Sequence, residues 1–189
     1  MKILGVGLGR TGTASLTTAL QLLGLKCIHN DVERLNDILL GTNSSPNFRR
    51  YDDVDAVTDV PTAYFFEEFL KAYPGLKCVL TLRNEDDWWR SIATHFRRIP
   101  IASEQENPVR WRIRHYIFGS AKPYEFLYKK KFREHNARVL ACVPKNQLLV
   151  MDITQGDGWE KLCGFLGIPV PQNVDFPVEN LTPRNLLAD

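Results

Sequence analysis

Hydrophobic and polar positions fall along this chain in short alternating blocks, which read as strands and helices in turn. Residues 2–7 form an apolar run that ends in glycines, and residues 13–23 then place Leu16, Leu20 and Leu23 at helical spacing. The opening unit is therefore strand, loop, helix. Gly24 stops that helix, residues 26–29 read as a second short strand, and residues 31–40 read as a second helix. Residues 41–50, with Asn43, Ser44, Ser45 and Pro46, read as a loop. Residues 56–59 make a brief strand, and Pro61 suits the first turn of a helix whose apolar positions run from Ala63 to Tyr73. The strongest strand covers residues 77–82, and Asn84 or Glu85 caps a helix that passes through Trp88, Trp89 and Ile92. Residues 124–142 read as helix, 147–152 as a late strand and 158–166 as a short helix ending at Gly167; residues 99–123 follow no clear period. The tail, about 169–189, holds Pro171, Pro177 and Pro183 and reads as extended chain on the surface.

Repeated strand and helix in this order predict an α/β fold: a three-layer arrangement of a parallel sheet flanked by helices on both faces. A chain of 189 residues with 44% hydrophobic content supports one good core, so residues 1–189 are expected to form a single domain. The formal charge of +2 offers no general attraction to nucleic acid or an anionic membrane, so any anion site must be local. Cys27, Cys78, Cys142 and Cys163 never form a CxxC pair, which argues against zinc and a redox dithiol and leaves scattered buried thiols. The first apolar run meets glycine too soon for a signal peptide, and no later run spans a bilayer. These features point to the cytoplasm.

The chemistry centres on Gly7-Leu8-Gly9-Arg10-Thr11-Gly12-Thr13. A strand that delivers a glycine-rich turn into a helix start aims backbone N–H groups and the positive end of the helix dipole at one point, which makes an anion site. The triphosphate loop GxxxxGK[ST] has its two glycines in Gly7 and Gly12, but Thr13 and Ala14 stand where lysine and the magnesium hydroxyl belong. A kinase or ATPase is disfavoured. The dinucleotide fingerprint GxGxxG is met literally by Gly7, Gly9 and Gly12, with Asp31 nineteen positions further on, so an NAD(P)-dependent oxidoreductase is an alternative.

A third reading places a cation before the small-residue run. Arg10-Thr11-Gly12-Thr13 resembles the Lys-Ser-Gly-Thr core of sulfotransferases that use 3′-phosphoadenosine 5′-phosphosulfate (PAPS), and is closer still to a divergent P-loop sulfotransferase-like branch with Gly-Arg-Thr-Gly-Thr. Arg83, at the end of a strand, and Ser91, eight residues later on a helix, resemble the pair with which such enzymes hold the nucleotide 3′-phosphate. Physically, guanidinium donors and a hydroxyl can enclose a phosphate from two elements; the plainer reading pairs Arg83 with Glu85 or Asp86. The segments 148–152 and 158–171 are also similar to the closing part of that family.

The resemblance implies a P-loop nucleotide-binding, sulfotransferase-like architecture and in-line transfer of a sulfuryl group from PAPS to a small-molecule hydroxyl or amine, with PAP (adenosine 3′,5′-bisphosphate) as product and no metal. Gly9, Arg10, Thr11, Gly12, Thr13, Ala14 and Ser15 would bind the donor together with Arg83 and Ser91, and Arg10 would also meet the leaving oxygens. Where cytosolic relatives end their third strand in Lys-Thr-His-x-Pro, this chain reads Val57-Thr58-Asp59-Val60-Pro61, which makes Asp59 the candidate base. Its competing role is to cap the helix at Pro61. His29, at the end of the second strand, is the alternative base; His95, His115 and His135 lack comparable placement. One of Trp88 and Trp89 is close enough to Arg83 to meet an adenine, and at least one belongs in the core. Lys129, Lys130, Lys131 and Arg133 read as a solvated helix face, and Arg184 as a further candidate for the 3′-phosphate. The acceptor pocket is expected from loops at 31–50 and 99–123. A nucleotide-binding protein without catalysis is the remaining reading.

Overall fold

In the computed structural model, which describes residues 1–179, five strands form one sheet: β1 (Ile3–Gly5), β2 (Cys27–His29), β3 (Ala56–Thr58), β4 (Lys77–Thr81) and β5 (Leu148–Met151). All pair in parallel, in the order β2-β3-β1-β4-β5. Successive side chains alternate between faces, which sorts the apolar runs into two layers. Ile3, Ala56, Val79 and Met151 pack with Leu16 and Leu20 of α1 (Thr13–Leu22) and with Trp159 and Leu162 of α7 (Trp159–Leu166). Leu4, Val57, Cys78 and Leu80 face the opposite layer. That layer draws on α3 (Phe66–Ala72), α4 (Glu85–Arg98), α5 (Pro108–Phe118) and α6 (Glu125–Cys142). The three-layer α/β arrangement matches the alternation in the sequence.

Trp88 of α4 is fully buried and stacks on Phe132 of α6 with ring centroids 4.2 Å apart. Such a pair contributes about 0.5–1.5 kcal/mol beyond the area it buries. Trp88 is thus core, and Trp89 meets Tyr128 edge-on. The basic run on α6 is a surface face that also ties helices together: Lys129 pairs with Asp86 and Glu125, and Arg133 with Glu85. Cys27, Cys78 and Cys163 are buried free thiols, and Cys142 is an exposed one.

Two predicted helices begin later than their sequence suggests. The helix expected over 31–40 opens with a 3-10 turn, Glu33–Leu35, and becomes α2 only at Asn36–Leu40. The helix expected from Pro61 begins at Phe66, after a run of turns, and the Val60–Pro61 peptide is cis. Within residues 99–123 stands a helix the pattern did not reveal, α5, started by Asn107, whose side chain accepts from the Arg110 amide, and by Pro108. No helix among the described residues is long and apolar enough to cross a membrane.

Candidate functional site

The loop from β1 to α1 lies over the carboxyl ends of the central strands, where open α/β sheets receive ligands. Gly7 is there because nothing larger fits: a Cβ at that position would sit 2.0 Å from Thr81 Oγ1 and 2.7 Å from the Thr81 carbonyl oxygen. Gly12 adopts a left-handed φ of 103° that suits glycine, and α1 starts directly after it. Among the described residues no side chain caps α1, and its first turn holds no acid, which leaves the amides at its start for another acceptor.

Three side chains from the next unit hold the loop. Trp88 Nε1 donates to the Gly9 carbonyl at 3.0 Å, Arg83 donates to the Arg10 carbonyl at 3.2 Å, and Arg10 Nε donates to Ser91 Oγ at 3.0 Å. Arg10 takes a left-handed φ of 72° as its side chain reaches α4. Burial, and next the neighbouring Arg83, lower the proton affinity of Arg10. Arg83 Nε is buried and has no hydrogen-bond partner among the described residues. Glu85 and Asp86 pair elsewhere, with Arg133 and Lys129, so the plain ion-pair reading of Arg83 does not hold. A cluster of guanidinium donors beside uncapped amides, one donor lacking an acceptor, suits an anion.

On the other flank the two rival bases stand together. His29 Nε2 lies 3.2 Å from Asp59 Oδ2, because parallel pairing of β2 with β3 sets His29 opposite Thr58, the residue before Asp59. Asp59 is buried, its Oδ1 accepts from the Val60 amide at 2.7 Å, and the Thr13 hydroxyl also bonds it. Burial raises the proton affinity of this carboxyl, against the pull of His29 and then of the Val60 amide. Asp59 does not cap a helix at Pro61: no helix begins there, and its own φ of 72° follows from the turn it opens.

A cavity of about 1130 Å³ joins these groups. Gly9, Arg10, Gly12, Thr13, Ala14, Ser15, His29, Asp59 and Arg83 all line it. Two predicted donor residues lie behind its wall. Thr11 is buried, with its hydroxyl on the Leu8 carbonyl and Thr81, and Ser91 is buried beneath Arg10. Ser15 Oγ accepts from the Glu179 amide. Arg184 lies outside the described residues.

Sequence reasoning missed several lining groups. Ile153, Thr154, Gln155 and Gly156 follow β5 directly, and their position at a strand's carboxyl end is the signal that could have found them. His95, set aside in the sequence, lines the cavity one helical turn after Ser91; burial and then nearby arginines lower its proton affinity. The wall expected from residues 31–50 is absent from the lining, where Asp31 is buried against Arg34 and Asp37 pairs with Arg50. Residues 99–123 do contribute, through Ile99, Arg110, Ile113, Arg114 and Phe118.

A parallel sheet with a helix start and arginines gathered at its carboxyl edge makes this an α/β protein whose cavity suits an anionic ligand. The sequence matches the family model described as sulfotransferase domain over residues 2–184, and the chain belongs to that family of transferases. It is 30% identical to a protein of Aspergillus versicolor described as Ava biosynthesis cluster protein M, over 219 aligned residues that cover 94% of this chain and 80% of that protein. The solved structure of a sulfotransferase from Alicyclobacillus acidocaldarius aligns with a TM-score of 0.58 at 18% identity, covering 98% of this chain and 87% of that one. At that identity the structural match speaks for the fold.

Proposed function

We propose that this protein moves a sulfuryl group from PAPS to the hydroxyl or amine of a small molecule. The observation that carries the reading is the meeting, in one cavity, of the uncapped α1 start with Arg10, the unpartnered Arg83 Nε, and the Asp59–His29 pair. The amides of residues 13–15 and Arg10 are placed to neutralise charge that develops on a leaving phosphate. Arg83 takes the 3′-phosphate, and Ser91 orients Arg10 beside it rather than standing free in the cavity. Asp59, its proton affinity raised by burial, receives the acceptor's proton as the acceptor oxygen or nitrogen bonds to sulfur and the sulfur–phosphate oxygen bond breaks. The charge stabilisation this requires is supplied by the loop and the arginines. The biosynthesis-cluster relative is in keeping with a small-molecule acceptor.

Dinucleotide oxidoreduction draws on Asp31 as the ribose acceptor, and Asp31 is instead buried against Arg34, away from the cavity lining. Thermal unfolding with added nucleotide separates the readings. PAP at one hundred times its Kd stabilises the fold by about 2.7 kcal/mol, which for a chain of this size raises Tm by about 5–10 °C. NAD leaves Tm unchanged. A shift with NAD and none with PAP would reverse the assignment.

A further inference from the structure

Hydroxyl protons around His29 can be counted, because one acceptor in the cluster has no proton of its own. Thr17 Oγ1 lies 2.8 Å from the Thr13 carbonyl, which can only accept, so the single Thr17 proton is spent there. Thr17 Oγ1 lies 2.5 Å from Thr58 Oγ1, and that contact must use the Thr58 proton. Both hydroxyls then have only lone pairs to offer His29 Nδ1, at 3.0 Å from Thr17 and 3.1 Å from Thr58. The proton of this contact must come from the ring. His29 therefore carries hydrogen on Nδ1, which leaves Nε2, 3.2 Å from Asp59 Oδ2, as the ring nitrogen that takes up or releases a proton.

We infer that Thr17 is a positioning residue which, with Thr58, fixes the Nδ1–H form of His29 so that His29 and Asp59 act as one base holding a single proton between Nε2 and Oδ2. In the active form the gap between these atoms is empty of a proton. When the acceptor attacks sulfur, its O–H or N–H bond breaks and its proton enters the gap, while the electron pair of the broken sulfur–oxygen bond leaves with the phosphate. The charged neighbour of the pair is Arg10, on the loop; Thr13, from α1, and the Val60 amide complete the polar contacts of Asp59. Cys27, which touches Thr58, is pushed up by burial to about 12 and stays a thiol. The tautomer stands apart from the sulfuryl-transfer reading, and its catalytic use rests on that reading.

Two measurements on the full chain test it. Nitrogen NMR of ring-labelled protein, with the His29 signals identified by their loss in His29→Asn, should show the neutral ring protonated on Nδ1. Thr17→Val should abolish that preference and Thr17→Ser should restore it. A neutral His29 protonated on Nε2 in the wild type would overturn the inference whether or not transfer is ever observed. With PAPS and a phenolic acceptor that the wild type sulfates, Thr17→Val should lower kcat about tenfold, leave the KM for PAPS unchanged and move the pH at which kcat reaches half its maximum. Thr17→Ser should restore both. An unchanged pH profile in Thr17→Val would overturn the catalytic role while leaving the tautomer in place.

Discussion

Replacing Gly7 by alanine tests whether the first glycine of the loop serves packing rather than a ligand. The new methyl carbon would lie 2.0 Å from Thr81 Oγ1, 2.7 Å from the Thr81 carbonyl oxygen and 2.9 Å from the Thr81 amide nitrogen. Rotating Thr81 relieves only the first contact, and it breaks the 2.6 Å hydroxyl bond with Thr11 in a buried site. The two backbone contacts persist, since β4 is pinned between β1 and β5 on both sides. Overpacking of this kind costs about 1–3 kcal/mol, and loss of a buried hydrogen bond adds about 1 kcal/mol. The sum lowers Tm by about 5–15 °C for a chain of this length. Scanning calorimetry of the ligand-free protein reads it directly. Gly164→Ala is the control, because its methyl meets nothing within 4 Å, and it should melt no more than about 2 °C below wild type. Gly7→Ala combined with Thr81→Ala should recover only part of the loss. If Gly7→Ala alone melts with the wild type, the packing account of this glycine is wrong.

Asp59→Asn should reduce kcat by about 10²–10⁴-fold, as measured by sulfuryl transfer from PAPS. The same variant should melt no lower than wild type at pH 7: the folded-state proton affinity of Asp59 is raised, so its stabilisation is present below the unfolded carboxyl value and is lost as pH climbs through the folded one. Arg83→Ala should weaken PAP about 10–100-fold by calorimetric titration, since a charge-assisted contact contributes about 1.5–3 kcal/mol. His135, buried with Nε2 donating to the Val6 carbonyl at 2.7 Å, is pushed down to about 4 by burial. A depressed histidine stabilises the fold above its unfolded value of about 6.5, and that stability drains as pH falls towards 4, by roughly 3 kcal/mol in all. Denaturant midpoints of wild type and His135→Gln across that range should converge on the acid side; parallel curves would refute the assignment.

The strands were legible because each is a short apolar run cut off by glycine or a turn, and such runs admit little else in a parallel sheet. Helix α5 was not, because the apolar period is broken by Arg114, a cation buried to 4% exposure. It is held by the carbonyls of Ala121 and Ile99 and lies 3.9 Å from the Phe96 ring centroid. Bonds that satisfy a charge in the core come from distant residues and leave no trace in local pattern. The site shows the same division. Arg10, Arg83, Asp59 and His29 could each be named from motif and position, whereas Asp59 and His29 looked like rivals until the order β2-β3 placed them side by side. Thr17 and Thr58 read as ordinary threonines of a helix and a strand, and only the register His29↔Thr58 makes them partners of the histidine.

The three bonds that fasten the loop to the β4–α4 unit, from Arg83, Trp88 and Ser91, have a consequence for how the protein measures what it binds. The amides at the start of α1 and the guanidinium of Arg83 belong to one braced unit, so under the proposed function the span between the groups that would take the two phosphates is set before any nucleotide arrives. Such a unit works as a fixed-jaw caliper. A ligand whose two charged groups match the span binds without bending the protein, and one with a shifted or missing charge must give up a jaw. Ser91, although it never faces the cavity, sets the calibration: loosening its hold on Arg10 should blur the distinction between nucleotides phosphorylated at neighbouring ribose positions.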